Sequence, residues 1–464
     1  MDERAEQIAL MLTDARADTL RLFDLAQERD LRGSPGFGYR PTVWHLAHIG
    51  VFEAYWLLQK VQGLPAPDER YERIFDPIKT PREESKNLPT RREMEAYLRR
   101  VRDDVLGLLE RFDFDSKDPL LREGYVLRLV LEHERQHQET LAYLFQLLDP
   151  AKKVRPDGAD ANAKRDGDSF DAKPSGEAVE AEEAAESDAK RPREPVTTDT
   201  NPARDMVSIP AGEFLMGASP GSFAYDNEHP AREVFVPAFK IARVPVTNGE
   251  FARFVEEGGY ERREFWDDEG WGWREKENWT HPLYWRREGR GWIERRMFDE
   301  APLEADHPVA CVSWYEAEAF ARFAGKRLPT ESEWERAASW GDARASKRRY
   351  AWGDEAPDDS RCNFRMNAWG TTAVGSFPAG ASVCGFLDMT GNVWEWTSTP
   401  FAGFAGFEPF PYPEYSEVWF DGDHRVLKGG SWATGASVLR TSFRNFFRRH
   451  FRIAFAGMRL AEDA

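Results

Sequence analysis

LEHERQHQET, residues 131–140, places His133 and His137 four positions apart. On a helix the two imidazoles leave one face about a turn apart, close enough to share a metal. The flanking residues support the helix, because apolar positions recur at three- and four-residue spacing across residues 122–148. The same period runs through residues 5–29, 42–62 and 91–111. The first 150 residues therefore read as a four-helix bundle.

A second stretch, PTVWHLAHIGVFEAYW at 41–56, carries His45 and His48 three apart. His48 lies on the stripe Trp44, His48, Val51, Tyr55, which faces the bundle interior. His45 falls off that stripe and reads as a residue that orients or packs. Nine histidines occur in the chain, and four of them sit in these two segments. A lone inward histidine is more often a hydrogen-bonded core residue, but three from two helices point to a metal site of the kind bundle cores build. Neutral imidazoles without a thiolate suit zinc, iron or copper alike, which leaves the metal open. Residues 133–137 also satisfy H-E-x-x-H, the zinc-peptidase pattern in which Glu134 would be the general base. The common peptidase patterns add a third ligand downstream, whereas the further histidines of the bundle, His45 and His48, lie upstream.

Composition narrows the class. The 464 residues carry 63 Lys+Arg against 81 Asp+Glu, a formal charge of −18, with no basic stripe to neutralise phosphates. Nucleic acid is not an expected partner. The opening MDERAEQIALMLTDARADTL lacks an apolar core segment, and no run reaches the about 18 apolar residues of a membrane span. The expectation is a soluble, cytoplasmic protein with no membrane partner. Cys311, Cys362 and Cys384 are odd in number and scattered, as reduced thiols would be.

Residues 151–205 turn to Asp, Glu, Ala, Lys and Pro with Phe170 the one aromatic, which reads as a disordered acidic linker. From Met206 the texture is β-like runs such as FKIARVPV, turns and tryptophans, with a capping box at Thr330 and Glu333 ahead of Trp334. Residues 206–464 read as a compact, loop-rich α+β domain. GNVWEWTS (391–398) and KGGSWAT (428–434) read as its core and turn residues.

HLAHIG, HERQH, RLPTESEWERAA, GNVWEWT, RVLKGGSWAT and FRNFFRRHFRIAFAGMRL, in that order, resemble the ergothioneine-type sulfoxide synthases and their selenoneine synthase relatives. The resemblance implies two domains: a DinB-like four-helix bundle, then a C-type-lectin-like domain of the formylglycine-generating-enzyme fold. It implies Fe(II) as cofactor, O2 as co-substrate, and small-molecule substrates. In that family a chalcogen donor is joined to carbon 2 of the imidazole of hercynine, trimethylated histidine. The family's iron ligands fall on His48, His133 and His137, and its hercynine-contacting glutamine and asparagine on Gln136 and Asn445. Phe446 stands where the family often has tryptophan. In FEPFPYPEYSEVWF (407–420), Tyr412 falls on an active-site tyrosine beside the iron, a proton or hydrogen-atom donor. Aromatic faces suit a trimethylammonium group, and Trp432 and Phe446 lie in the motif segments.

The chain departs from the family on the donor side. Members that use γ-glutamylcysteine bind it with an aspartate two residues after the asparagine, an arginine four further on and an arginine from the bundle. The first two positions read Phe447 and Phe451, and the third falls on Arg82. Each lost charge-assisted bond is worth roughly 1.5–3 kcal/mol, which argues against γ-glutamylcysteine. A sugar ring stacked on Phe447 or Phe451 suits a selenosugar; Arg448, Arg449 or Arg452 would instead serve the carboxylate of cysteine. Formylglycine-generating activity needs paired cysteines near the C-terminus, and no cysteine follows Cys384. A non-catalytic, lectin-like binding protein would leave the histidines and Tyr412 without a purpose.

Overall fold

The computed structural model describes residues 2–77, 79–156, 205–219, 221–339 and 347–464. The expected acidic linker lies outside the described residues except at its two ends. At the first, Pro150–Lys152 forms a 3-10 turn and the Val154 amide donates to Leu25 O at 2.7 Å, so ordered chain continues past residue 150.

The first domain comprises α1 (Glu3–Phe23), α2 (Glu28–Leu31), α3 (Trp44–Glu53) running into a π-helix (Ala54–Val61), α4 (Glu69–Phe75), α5 (Arg91–Leu109) and α6 (Tyr125–Leu147). The first expected helix ends at Phe23 rather than at residue 29, because Ala26 leaves the helix to pair with Lys153. The second changes pitch at Ala54, which rotates its later side chains. Of the stripe read from sequence, Trp44, His48 and Val51 are buried, but Tyr55 is only half-buried and Trp56 is turned inward.

α1, α3 with its π-turn, α5 and α6 form the bundle, and each contributes one buried charge to a single cluster. Arg16 contacts Glu53 at 2.7 Å and Glu134 at 2.8 Å; Arg102 contacts the same carboxylates at 2.6 and 3.1 Å. The Thr19 hydroxyl adds a bond to Glu134 at 2.8 Å. Two cations against two anions, with hydrogen bonds filling the lone pairs, is the arrangement in which buried charge is tolerated.

The second domain holds β1 (Met206–Ile209), β2 (Gly212–Met216), β3 (Arg232–Val236), β4 (Phe239–Ala242), α7 (Asn248–Glu256), α8 (Asp268–Lys276), β5 (Trp285–Glu288), β6 (Gly291–Arg295), β7 (Glu300–Pro302), α9 (Trp314–Phe323), α10 (Glu331–Ser339), β8 (Trp394–Pro400), β9 (His424–Lys428), β10 (Asn445–Arg448), β11 (Ala456–Met458) and β12 (Ala461–Asp463). Its central sheet has the order β10-β9-β8-β11, antiparallel except for the parallel pair β8·β11. Smaller sheets, β1-β4-β12, β2-β3 and β5-β6-β7, surround it. The capping box forms as read: Thr330 N–H donates to Glu333 at 2.8 Å, and Glu333 N–H to Thr330 Oγ1 at 3.2 Å. In β8, Trp394 and Trp396 are buried on one side while Glu395, on the other, accepts from Arg459 and from Trp334 Nε1 at 2.7 Å.

α6 joins the domains through one polar face. Glu132 pairs with Arg440 at 2.8 Å, and Gln146 donates to Arg295 O at 2.7 Å. Glu139 accepts from Trp394 Nε1 (2.7 Å), Ser431 Oγ (2.5 Å) and Thr434 Oγ1 (2.8 Å). GNVWEWTS and KGGSWAT thus do more than pack: they grip the helix that carries His133 and His137. From α1, Asp18 adds a contact to Arg365 at 2.7 Å.

Burial alone raises the Glu134 carboxyl, but the Arg16 and Arg102 guanidiniums outweigh it and hold it at about 2, against an ordinary 4.5. Its contribution to stability is complete above about pH 4.5 and is lost as the pH falls from there toward 2. The urea midpoint is expected to be flat near neutrality and to drop below pH 4.5. Arg16→Met should cost about 3–5 kcal/mol at pH 7 by stranding a buried carboxylate, and should shrink the acid-dependent part of the loss. An Arg16→Met protein as stable as the parent would show that the cluster does not hold the bundle.

Candidate metal centre and substrate cleft

α3 and α6 bring His48, His133 and His137 together, with one ring nitrogen from each lying within 4.8 Å of the others. Second partners fix the rings. His48 Nδ1 meets Phe75 O at 2.8 Å, and His137 Nδ1 meets His45 Nδ1 at 3.1 Å, which leaves Nε2 of both for a metal. His133 lies flat on Phe52, with centroids 3.6 Å apart and planes 7° apart, and His48 stacks on Trp44 at 4.5 Å. Burial lowers His48 to about 4, and burial with the neighbouring imidazoles drives His133 and His137 well below 6.5. All three are neutral ligands at neutral pH. Among the described residues no carboxylate or thiolate joins them. The set fits a divalent first-row metal with positions left for other ligands.

Glu134 does not face this cluster. Both its oxygens are taken by Arg16, Arg102 and Thr19 in the bundle core, so the zinc-peptidase reading lacks its general base.

Two aromatic walls flank the histidines. On the His133 side, Phe52 and Trp56 lead to Tyr412, whose ring is 6.3 Å from Phe52 and 5.4 Å from Trp56. The π-turn brings Trp56, rather than Tyr55 of the inward stripe, to the interior and against Tyr412. Burial, then the charges of Asp226 and Glu414, push the Tyr412 phenol above its ordinary 10, so it keeps its proton. On the His137 side, His45 is followed by Tyr39 (6.5 Å), Phe451 (6.3 Å from Tyr39) and Phe447, stacked on Phe451 at 4.5 Å. Arg82 lies beside this wall, its Nη1 2.9 Å from where a β-carbon on Gly38 would stand.

Gln136 shares the domain-facing side of α6. Its Nε2 donates to Tyr225 Oη at 2.6 Å, its Oε1 accepts from Tyr415 at 3.2 Å, and the two tyrosine rings stack at 4.0 Å. Neither tyrosine was anticipated. Tyr415, three positions after Tyr412, had a local signal; Tyr225, 89 positions from Gln136, had none. Asn445 opens β10, half-buried, its Oδ1 accepting from the Phe446 amide at 2.9 Å. Strand alternation sends Phe446 and Phe447 to opposite faces: Phe446 stacks on Phe401 at 3.9 Å and comes within 6.5 Å of Tyr415, while Phe447 joins Phe451.

Two readings are corrected. Trp432 is a core residue, 3 % exposed and packed on Phe455 at 4.3 Å, not a face for a substrate cation. The arginines considered for a donor carboxylate already have partners: Arg448 binds Asp423 (3.1 Å), Arg449 binds Glu269 (2.7 Å), and Arg452 binds Glu316 (2.8 Å).

Residues 11–141 match the DinB superfamily, and residues 192–464 match the sulfatase-modifying factor enzyme 1-like domain. A hercynine oxygenase of Mycolicibacterium thermoresistibile is 38% identical over 99% of this chain and 95% of its own. The hercynine oxygenase of Mycobacterium tuberculosis is 38% identical over 99% of both chains. A formylglycine-generating enzyme of Thermomonospora curvata is 33% identical over 56% of this chain and 94% of its own.

The geometry predicts one divalent metal per chain. Replacing His48, His133 or His137 by Ala should weaken Co(II) binding by at least about 10-fold. Because the ligands stay unprotonated, affinity should hold as the pH is lowered from 8 to about 5, below the ordinary histidine range. Loss of binding near pH 6.5, read by visible absorption, would contradict the buried, neutral site.

Proposed function

The chain belongs to the hercynine oxygenase family, and from that premise we propose that it is an Fe(II)- and O2-dependent synthase joining a chalcogen donor to carbon 2 of the hercynine imidazole. The observation that carries this reading is the meeting of three neutral histidines with Gln136 and Tyr412 where the bundle abuts the second domain. Fe(II) held by His48, His133 and His137 would supply the redox partner for O2 and a common meeting point for the reactants.

The chain's own residues then divide the work. Gln136 is oriented by Tyr225 and Tyr415, and its amide keeps one hydrogen and one lone pair in reserve for hercynine. Asn445, whose Oδ1 accepts from the Phe446 amide, would use its amide nitrogen to donate to the same substrate. Phe446 and Tyr415 give aromatic surface to the trimethylammonium group. Tyr412, held protonated by burial, is the proton or hydrogen-atom donor as O2 is reduced.

The donor side has ring surface and little free charge. Tyr39, Phe451 and Phe447 form its wall, and the nearby Arg448, Arg449 and Arg452 are committed to carboxylates of the chain. That disfavours γ-glutamylcysteine, with its two carboxylates, and favours a selenosugar, so the product is a selenoneine-type compound. Cysteine is the second reading, supported by Arg82 at the edge of the wall; with it the pathway leads to ergothioneine.

Anaerobic Fe(II) protein given hercynine, O2 and one donor at a time should show hercynine-dependent O2 uptake, with kcat/KM for a selenosugar at least about 10-fold above that for γ-glutamylcysteine. No such uptake with any donor would overturn the synthase reading, and a preference for γ-glutamylcysteine would overturn the donor assignment. Tyr412→Phe should still consume O2 while yielding less product per O2 consumed; unchanged yield would remove its role.

A further inference from the structure

We propose that His45 is a binding residue for the chalcogen donor, presenting its Nε2–H to an acceptor atom of that substrate, the chalcogen or a hydroxyl beside it. The inference rests on the synthase reading for the nature of the donor, and on a chain of hydrogen bonds for the rest.

His137 faces His45 with Nδ1, at 3.1 Å, so the nitrogen it can offer a metal is Nε2. A neutral imidazole that ligates through Nε2 carries its hydrogen on Nδ1. That hydrogen points at His45, which must accept it with an Nδ1 lone pair. The remaining hydrogen of His45 is then on Nε2. This atom is buried, the residue being 5 % exposed, and has no hydrogen-bond partner among the described residues. An unpaired buried N–H is unfavourable, a cost removed when an acceptor reaches it.

The surroundings say which substrate that is. Gln136, Tyr415 and Tyr412 belong to the other flank of the cluster. Apart from its helix neighbour Trp44 and the ligand His137, the ring beside His45 is Tyr39, which continues to Phe451 and Phe447. His45 is thus the polar group at the inner end of the aromatic donor wall, one hydrogen bond from a metal ligand.

Two substitutions separate its two contacts. His45→Asn keeps an acceptor near the Nδ1 position and removes the Nε2 donor; His45→Gln keeps a donor near Nε2 and removes the acceptor. Binding of 1-thioglucose and of cysteine to anaerobic protein loaded with Fe(II) and hercynine would be measured by calorimetry, and Fe(II) affinity by chelator competition. His45→Asn should raise the Kd of the sulfur probe by about 10-fold while Fe(II) affinity stays within about 3-fold of the parent. His45→Gln should lose about 10-fold in Fe(II) affinity and retain the probe once loaded. Unchanged probe affinity in His45→Asn, equal losses in both variants, or no probe binding to the parent would overturn the proposal. None of these readings needs turnover, so a parent that binds the probe without hercynine-dependent O2 uptake would sink the synthase reading and leave this one standing.

Discussion

Arg16, Glu53, Arg102 and Glu134 form a closed set of buried ion pairs with one member from each long helix. Hydrophobic packing can slide by a turn at modest cost, but a buried charge displaced from its partner cannot. The cluster therefore fixes the rotation and height of α3 and α6 together. Glu53 lies on the helix that carries His48, and Glu134 lies between His133 and His137. The convergence of the three histidines is a consequence of that register.

α6 serves three neighbours at once. Glu134 points to the bundle core and His133 and His137 to α3. Glu132, Gln136, Glu139, Tyr143 and Gln146, at alternating spacings of four and three, point to the second domain. The grip of Trp394, Ser431 and Thr434 on Glu139 sets how far Gln136 stands from Tyr225 and Tyr415. Tyr225 and Tyr415 of the second domain and the three histidines of the first are thereby held in one frame, as the proposed chemistry among several reactants would require. The same frame keeps Gln136, Tyr415 and Tyr412 on one flank of the histidines and the Tyr39, Phe451, Phe447 wall on the other.

Helical spacing was enough to read the four-helix bundle and the histidine trio, because ligand pairs at i,i+4 need only a helix to converge. Glu134 shows the limit of a motif: H-E-x-x-H has the same letters in a peptidase, and its rotation into the Arg16–Arg102 pair is a tertiary fact. The π-turn after Glu53 is invisible to a 3.6-residue period, which is why Tyr55 was expected where Trp56 stands. Tyr225 and the hydrogen bond between His137 and His45 depend on contacts between residues 89 and 92 positions apart, beyond any local pattern. The tryptophan and glycine motifs were legible as core; that Trp394 and Ser431 also reach across to Glu139 required the second domain to be in place.

The central claim is that one iron and one hercynine share the junction built by α3, α6 and β10. Iron-edge anomalous diffraction from crystals grown anaerobically with Fe(II) and hercynine tests it directly. The account predicts a single peak bonded to His48, His133 and His137, with hercynine reaching Gln136 and Asn445. Iron bound elsewhere, or hercynine lodged away from α6, would contradict it.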